Sequence, residues 1–270
     1  MKILVSAHDA GGANLILSKY FNSRDASFLL TGPAAYIADQ MGIRYNTRFE
    51  MGSLENVDLV VIGSNSQPRI SDLVFEEARL RGIRSIGILD HWVNFRTRWR
   101  KSPDIVEVQD IRAYIGALLT YGFKVRLCFN HYLKNISQEY FKVSDSEKGL
   151  LLIVQPLPFG SWGIHGSSCL CDSVEFFRVL HPEIRHVTVR PHFDSSVEVC
   201  SNYLNTKLDL NCLVSSPREP LAVDVSNNRY VIGYDSYAMF VAKKLGSRVF
   251  TISRKRRSWF APRYCQLKYN

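Results

Sequence analysis

The sequence predicts an α/β protein built from two parallel sheets in tandem. Short apolar runs that suit buried strands alternate with helical segments along most of the chain, and parallel strands need such crossover segments between them. A polar stretch at 142–149 (KVSDSEKG) interrupts this alternation, and the pattern then begins again. Because such a stretch is typical of a linker, we expect an N-terminal domain at 1–145 and a C-terminal domain at 146–270.

The first half contains six predicted strands and four predicted helices. The strands are Met1–Ser6, Ser27–Gly32, Leu59–Ser66, Ile83–Asp90, Pro103–Gln109 and Lys124–Phe129. The helices are Ala13–Tyr20, Pro33–Gly42, Ser71–Gly82 and Asp110–Thr120. Proline suits the first turn of a helix, serine its N-cap and glycine its end, and these residues set the predicted limits of the second and third helices.

The second half repeats the pattern with five predicted strands and four helices. The strands are Leu150–Leu157, His186–Phe193, Leu210–Ser216, Arg229–Ser236 and Arg248–Ser253. The helices are Cys171–Glu183, Val197–Leu204, Pro220–Asn228 and Tyr237–Gly246, and the Gly- and Ser-rich stretch Pro158–Ser168 is predicted to be a loop. Two similar α/β domains follow from this order of elements.

The composition is that of a soluble globular protein. The chain has 270 residues, of which 46% are hydrophobic and 22% charged. No apolar run approaches the roughly 18 residues that span a bilayer, and the N-terminus lacks the pattern of a signal peptide. The six cysteines are scattered and lack zinc-ribbon or redox spacing, so we expect free thiols in a reducing compartment: Cys128, Cys169, Cys171, Cys200, Cys212 and Cys265. The chain is therefore expected to be cytoplasmic.

The formal net charge of +9 is partly local, because four cationic residues follow one another at Arg254–Arg257. This basic segment can be a solvated tail, or it can attract an anionic substrate or an anionic membrane. In the last case the protein would lie at the inner membrane surface. No nucleic-acid-binding module is recognisable, and we expect no nucleic-acid partner.

Polar residues follow the first predicted strand. His8 and Asp9 come directly after it, and Gly11 and Gly12 follow them before the first predicted helix. Glycines in this turn suit a positive φ or a close approach to a ligand, while Asp9 and His8 are candidate general bases. The structural alternative is a tight turn in which Asp9 caps the helix.

A second pair of the same type follows the fourth predicted strand. Asp90 and His91 stand there, with Trp92 next to them. Carboxyl ends of parallel strands meet at one edge of a sheet, which is where α/β proteins bind ligands. Both pairs are therefore candidate catalytic groups. The structural alternative for the second pair is that Asp90 and His91 cap a loop while Trp92 serves in packing.

Two motifs in the second half suit an anion. Arg190 and His192 end the predicted strand His186–Phe193, and both can donate hydrogen bonds to phosphate. Gly233 ends a later strand, and Ser236 and Tyr237 open the helix after it. Because a helix N-terminus presents free N–H groups, this turn can bind a phosphate.

The order of these motifs resembles the donor half of GT-B glycosyltransferases. The strand–RPH motif is followed by a strand and then G-x-x-S-x-A-x-x-x-A-x-x-x-G from Gly233 to Gly246. The resemblance is to bacterial enzymes that build capsules and lipopolysaccharides, including sialyl- and Kdo-type transferases. The HDAGGAN and LDHW segments are similar to proteins of the same broad type. Where that family often has RPHP and a helix Glu, this chain has Phe193 and Val241–Ala242.

The resemblance implies two Rossmann-like domains with a cleft between them. A nucleotide-sugar would be the donor substrate, with its phosphates at His192 and Ser236 and with Arg190 nearby. The N-terminal half would hold a surface-glycan acceptor, and Asp9 or Asp90 would deprotonate its hydroxyl group. The family usually works without a metal, and no DxD-like pair is placed for Mg²⁺, so neither a metal nor a further cofactor is expected.

The sequence leaves three functions open. The first is a metal-independent glycosyltransferase that moves a sugar from a nucleotide-sugar to a glycan. The second is a nucleotide-sugar 2-epimerase of the same shape, which needs no acceptor. The third is a binding protein without catalytic activity, which the altered RPHF motif and the absent helix Glu favour.

Overall fold

The computed structural model describes residues 1–65, 69–92, 95–99, 101–140, 149–154, 174–175, 177–193, 212–233 and 236–251. The chain divides into two compact units, Met1–Asn135 and Ile136–Asn270. The predicted domain boundary at 145/146 falls in 141–148, which lies outside the described residues, and it stays a prediction.

The first unit contains a six-stranded sheet in which all neighbouring strands are parallel. Its strands are β1 (Ile3–Ala7), β2 (Ala26–Leu30), β3 (Leu59–Gly63), β4 (Arg84–Ile88), β5 (Ile105–Val108) and β6 (Val125–Leu127). Their order across the sheet is β2-β1-β3-β4-β5-β6. The chain therefore leaves β1 to one side for β2 and returns on its other side for β3, which makes the β1/β3 boundary a topological switch point.

Five α-helices follow strands of this sheet. They are α1 (Ala10–Tyr20), α2 (Pro33–Gln40), α3 (Ile70–Leu80), α4 (Ile111–Tyr121) and α5 (His131–Glu139). The first four correspond to predicted helices. Helix α5 has no counterpart in the sequence prediction, since Ile136 is its one buried residue and the apolar pattern is correspondingly weak.

Burial explains why the strands of the first unit were predictable. All five residues of β1, all five of β3 and all four of β5 are buried. The sheet core contains Val60, Ile62, Val106 and Val108, each fully buried. A fully buried side chain of this size stabilises the fold by roughly 1.5–3 kcal/mol, which accounts for the continuous apolar runs in the sequence.

The second unit contains a parallel sheet of five strands in the order β11-β10-β7-β8-β9. They are β7 (Gly149–Ile153), β8 (His186–Arg190), β9 (Cys212–Val214), β10 (Tyr230–Gly233) and β11 (Arg248–Thr251). After β9 the chain crosses to the other side of β7, so the switch point of this sheet lies between β7 and β10.

Two helices of the second unit are described in full, α6 (Leu221–Ser226) and α7 (Tyr237–Lys244). Of the predicted helix Cys171–Glu183, residues 174–175 and 177–180 are helical. The predicted loop at 158–168, the predicted helix at 197–204 and the basic segment Arg254–Arg257 lie outside the described residues. Within the described part of the chain, each helix is too short or too polar to cross a lipid bilayer.

Candidate functional site

The candidate site of the first unit lies at the carboxyl edge of its sheet. His8 and Asp9 follow β1, Ser64 follows β3, and Asp90 and His91 follow β4. These three strands are neighbours in the order β1-β3-β4. The topology therefore places the two predicted His/Asp pairs on the same sheet edge, with the end of β3 between them.

Asp90 is held by two different elements. Its Oδ1 accepts a hydrogen bond from the Ser64 hydroxyl at 2.5 Å. Its Oδ2 lies so close to Gly11 that a Cβ atom on Gly11 would be 1.9 Å from it. Gly11 belongs to the first turn of α1, where the N–H groups and the helix dipole favour a negative charge. The carboxylate is therefore fixed in position at the positive end of a helix.

The two glycines of the HDAGG segment do not form a turn, and this part of the sequence prediction is wrong. Helix α1 begins at Ala10, three residues before the predicted start, and Gly11 and Gly12 lie inside it without a positive φ. A Cβ on Gly12 would lie 3.2 Å from Gly63 Cα and 3.3 Å from the Ser64 nitrogen. The start of α1 therefore packs directly on Asp90 at Gly11, where a Cβ has no room, and closely on the end of β3 at Gly12.

Asp9 occupies the N-cap position of α1, but its side chain makes no capping hydrogen bond. Its backbone carbonyl accepts the hydrogen bond from the Ala13 N–H at 3.0 Å. The structural alternative of a side-chain cap is therefore not realised. Asp9 is half-buried directly after β1, and its carboxyl group stays a candidate base in addition to that of Asp90.

His8 is positioned by the loop after β2. Its Nδ1 forms a hydrogen bond with Thr31 Oγ1 at 2.8 Å, and its carbonyl accepts from the Ala34 N–H at 2.9 Å. Gly32 has a φ of 55°, and a Cβ there would lie 2.5 Å from His8 Cε1. A glycine at this position therefore gives the imidazole the room it occupies.

His91 is in contact with Trp92. The Trp92 backbone N–H donates to His91 Nδ1 at 2.9 Å, and the two rings lie 5.6 Å apart. The Trp92 indole N–H donates to Asp110 Oδ2 at 2.8 Å, while Asp110 Oδ1 caps α4. Trp92 also packs against the apolar core. This packing of Trp92 agrees with the structural alternative predicted for the segment. Trp92 thereby orients the loop that carries His91.

The second unit places its predicted anion site at its own switch point. Gly233 ends β10, and a Cβ there would lie 2.7 Å from the Ile153 carbonyl oxygen of β7. Ser236 is the N-cap of α7, and its hydroxyl accepts from the Met239 N–H at 3.4 Å. Tyr237 is the first residue of that helix, with its ring 6.0 Å from Phe240. His192 is half-buried two residues beyond β8.

Arg190 has a different environment from the one predicted. Its Nη1 donates to Asp224 Oδ2, and its Nη2 donates to the carbonyl oxygens of Pro217 at 3.2 Å and Glu219 at 2.6 Å. The Arg190 residue is 8% exposed and Asp224 is 7% exposed. The guanidinium group therefore fastens α6 and the loop before it to the end of β8, and its phosphate contact stays a prediction.

Sequence reasoning missed several residues that position the site. Ser64 and Thr31 hold Asp90 and His8, and Asp224 holds Arg190. The small polar residues at the end of the predicted strand Leu59–Ser66 could have indicated Ser64, because ligands of α/β proteins bind where the strands end. The sequence carries no comparable signal for Asp224, which lies 34 residues from its partner.

Among the described residues, no group of three or more His, Cys, Asp or Glu side chains is arranged to hold a metal ion. Cys128 and Cys212 are free thiols. The two sites therefore offer fixed carboxyl, imidazole and hydroxyl groups and a helix N-terminus. Such groups can accept a proton and bind an anion.

The architecture is that of the GT-B fold, with two Rossmann-like parallel-sheet units, as the sequence predicted. A UDP-GlcNAc 2-epimerase from Neisseria meningitidis bound to UDP-GlcNAc is similar over 94% of this chain and 83% of its own, with a TM-score of 0.69 and 12% identity. MnaA from S. aureus with UDP is similar over 94% and 80%, with a TM-score of 0.67 and 10% identity.

MurG from Acinetobacter baumannii is also similar, over 95% of this chain and 80% of its own, with a TM-score of 0.50 and 11% identity. At such identities the likeness concerns the fold. No protein-family model matches the sequence, and no curated protein sequence matches it significantly.

Proposed function

We propose that this chain is an enzyme that acts on a nucleotide-sugar, with Asp90 as its general base. The observation that carries the proposal is the fixed Asp90 carboxylate, which accepts from Ser64 and lies against Gly11 at the switch point of the first sheet. A base must be held within hydrogen-bond reach of the proton it removes, and a carboxylate fixed by two elements meets the positional part of this requirement.

The nucleotide part of the substrate is assigned to the second unit. The N-terminus of α7, with Ser236 as its cap, would bind the phosphates, and His192 would donate to them. Tyr237 and the close-packed Gly233 shape the same turn. Arg190 would act indirectly in this scheme, because Asp224 and two carbonyl groups already engage its guanidinium.

Epimerisation at C2 of the sugar is the reaction that the comparisons support better than glycosyl transfer. The similar structures with TM-scores of 0.69 and 0.63 are both UDP-GlcNAc 2-epimerases, from Neisseria meningitidis and Methanocaldococcus jannaschii. An epimerase must break the C2–H bond and form it again on the opposite face. Asp90, Asp9 and His8 are the proton-transferring groups at the first sheet edge that could serve these two steps.

Glycosyl transfer to a surface glycan is the second candidate, supported by the similarity to MurG and by the RPH and GYDS motifs. In that reaction the same carboxylate would deprotonate an acceptor hydroxyl group. The two reactions differ in one measurable respect, because the epimerase needs no acceptor.

The test has two stages. The chain is first screened for thermal stabilisation by UDP-, CMP- and GDP-sugars, since a ligand that binds the native state raises the unfolding temperature. The stabilising compound is then incubated with the protein in deuterated water without acceptor, and exchange at C2 is followed by NMR. Exchange supports the epimerase; transfer that requires an added glycan supports the glycosyltransferase.

The matched variants are Asp90→Asn and Asp25→Asn. The Asp25 side chain is 64% exposed and precedes β2 at the opposite edge of the sheet. The proposal requires Asp90→Asn to abolish turnover and Asp25→Asn to retain it. Binding without turnover in wild type would support the non-catalytic binding protein, and the absence of binding by any nucleotide-sugar would overturn the proposal as a whole.

A further inference from the structure

Helix α4 carries a row of large apolar side chains on its solvent face. Ile111, Ile115 and Leu119 are 61%, 58% and 84% exposed, and Phe123, just beyond the helix, is fully exposed. Residues four apart lie on one face of a helix, so Ile111, Ile115 and Leu119 form a continuous stripe. Six of the fifteen exposed large hydrophobic residues in the described part of the chain fall within 111–129.

The stripe is not part of the folding core. The buried residues of α4 are Ala113 and Ala117, which pack in the core cluster that also contains Val125 of β6. Tyr114 and Tyr121 of the same helix also pack against this core, so the stripe is a second apolar face in addition to the one that the helix buries. Contiguous exposed apolar surface of this kind marks an interaction site.

The surroundings of the stripe are cationic. From 111 to 138 the sequence contains no Asp or Glu, and it contains four cations, Arg112, Lys124, Arg126 and Lys134. All four are exposed. The nearest carboxylate before the helix, Asp110, accepts hydrogen bonds from the Trp92 indole and from backbone N–H groups at the start of α4. Arg126 belongs to the other face of the sheet, because it follows the core residue Val125 and pairs in register with Glu107, whose carboxylate contacts Lys19 of α1. The α4 surface therefore combines large apolar groups with positive charge, and we define it as Ile111, Arg112, Ile115, Leu119, Phe123 and Lys124.

We propose that the α4 surface docks on the face of an anionic lipid bilayer. The side chains of the stripe would enter the boundary between headgroups and acyl chains, while Arg112 and Lys124 would pair with lipid phosphates. The charge argues against a second copy of this chain as the occupant. A two-fold interface brings the same patch against itself and would place the cationic residues of both copies together. The proposal does not depend on which reaction the protein catalyses.

The experiment measures co-sedimentation of the full chain with lipid vesicles. Vesicles of phosphatidylglycerol and phosphatidylcholine in equal parts are compared with vesicles of phosphatidylcholine alone. The triple variant Ile115→Ser/Leu119→Ser/Phe123→Ser should partition about tenfold less than wild type, because apolar contact area is lost. The matched control is Leu73→Ser/Leu80→Ser on α3, where the two residues are 63% and 71% exposed and should be dispensable.

A second set of variants tests the charge. Arg112→Gln/Lys124→Gln should weaken binding to the anionic vesicles. The control Arg24→Gln/Arg44→Gln removes equal charge from exposed positions elsewhere and should retain most of the binding. Raising the salt concentration should weaken wild-type binding.

Three results would overturn the proposal. The first is that wild type fails to bind anionic vesicles. The second is that the stripe variant binds them as wild type does, with binding lost only on substitution of Arg254–Arg257. The third is a wild-type dimer in light scattering that the stripe variant dissociates while vesicle binding is absent, which assigns the surface to a second copy.

Discussion

The Asp90 carboxylate and Gly11 are in direct contact at the first turn of α1, although they are 79 positions apart in the chain. A Cβ atom at position 11 would lie 1.9 Å from Asp90 Oδ2 and 2.9 Å from its carboxyl carbon. Because no side chain fits there, the glycine determines where the candidate base lies. The position of the carboxylate is thus set jointly by α1 and by Ser64 at the end of β3.

Replacing Gly11 by Ala should therefore impair activity more than stability. The new methyl group would displace Asp90 or tilt the start of α1, and a shift of about 1 Å at a reacting group can reduce the rate about a hundredfold. Nucleotide-sugar turnover and urea unfolding are measured on the same preparations. The control is Gly52→Ala, where a Cβ would meet only Glu55 Oε1 at 3.9 Å. Wild-type turnover in Gly11→Ala would contradict the assignment of Asp90 as the base.

The second prediction concerns Ser64, which donates a hydrogen bond to the same carboxylate. Ser64→Ala removes the 2.5 Å hydrogen bond and leaves Asp90 held only by its packing against α1. A hydrogen bond to a charged group contributes about 1.5–3 kcal/mol, so kcat should fall by roughly one to two orders of magnitude if the bond orients the base. KM should change little, because Ser64 belongs to the first unit, to which we assign the general base, and the nucleotide is assigned to the second unit.

The comparison for Ser64→Ala is Ser27→Ala in β2. The Ser27 hydroxyl donates to the Ile3 carbonyl at 3.3 Å, so this variant also removes one serine hydrogen bond from the first unit, but away from Asp90. Steady-state kinetics distinguishes the two variants. A large rise in KM with unchanged kcat for Ser64→Ala would show that the serine serves binding and does not orient a base.

The buried Arg190–Asp224 pair leads to a third prediction, about stability. Either Arg190→Met or Asp224→Ala leaves one buried charge without its partner, and breaking a buried pair costs about 3–5 kcal/mol in the free energy of unfolding. The double variant Arg190→Met/Asp224→Leu removes both charges and should recover part of that loss. Urea unfolding of the three variants measures the difference. If Arg190→Met keeps wild-type stability and loses nucleotide binding, the result would contradict this structural role and would support the predicted contact of Arg190 with phosphate.

The sequence predicted the sheets because most of their strands are buried along most of their length, which requires continuous apolar runs. The polar residues at the strand ends were located in the same way, since they mark where each run stops. The start of α1 was predicted wrongly, because two consecutive glycines have poor helix propensity and their packing against Gly63 and Asp90 is not visible in the sequence. The contacts of Arg190 could not be predicted from the sequence, because its partners lie 27 to 34 positions further along the chain, in α6 and the loop before it.

The last prediction concerns the reactivity of the Cys128 thiol, which lies near a partly buried ion pair of the first unit. Lys19 Nζ lies 2.6 Å from Glu107 Oε2, and Glu107 is 6% exposed. Burial raises the pKa of the Cys128 thiol, and the negative charge of Glu107 and a hydrogen bond to it raise that pKa further. Because the thiolate is the reactive form, Cys128 should react with iodoacetamide more slowly at mildly alkaline pH than an ordinary exposed cysteine.

Glu107→Gln removes two of the causes that raise the Cys128 pKa and leaves Lys19, whose positive charge lowers it. The pH at which Cys128 becomes half-maximally reactive should therefore fall. Cys212 is the internal control, because burial raises its pKa without any contribution from Glu107. Alkylation of both cysteines is followed across a pH series by peptide mass spectrometry. An unchanged Cys128 midpoint would show that Glu107 does not control the thiol. An equal shift of Cys212 would assign the change to a general loosening of the fold.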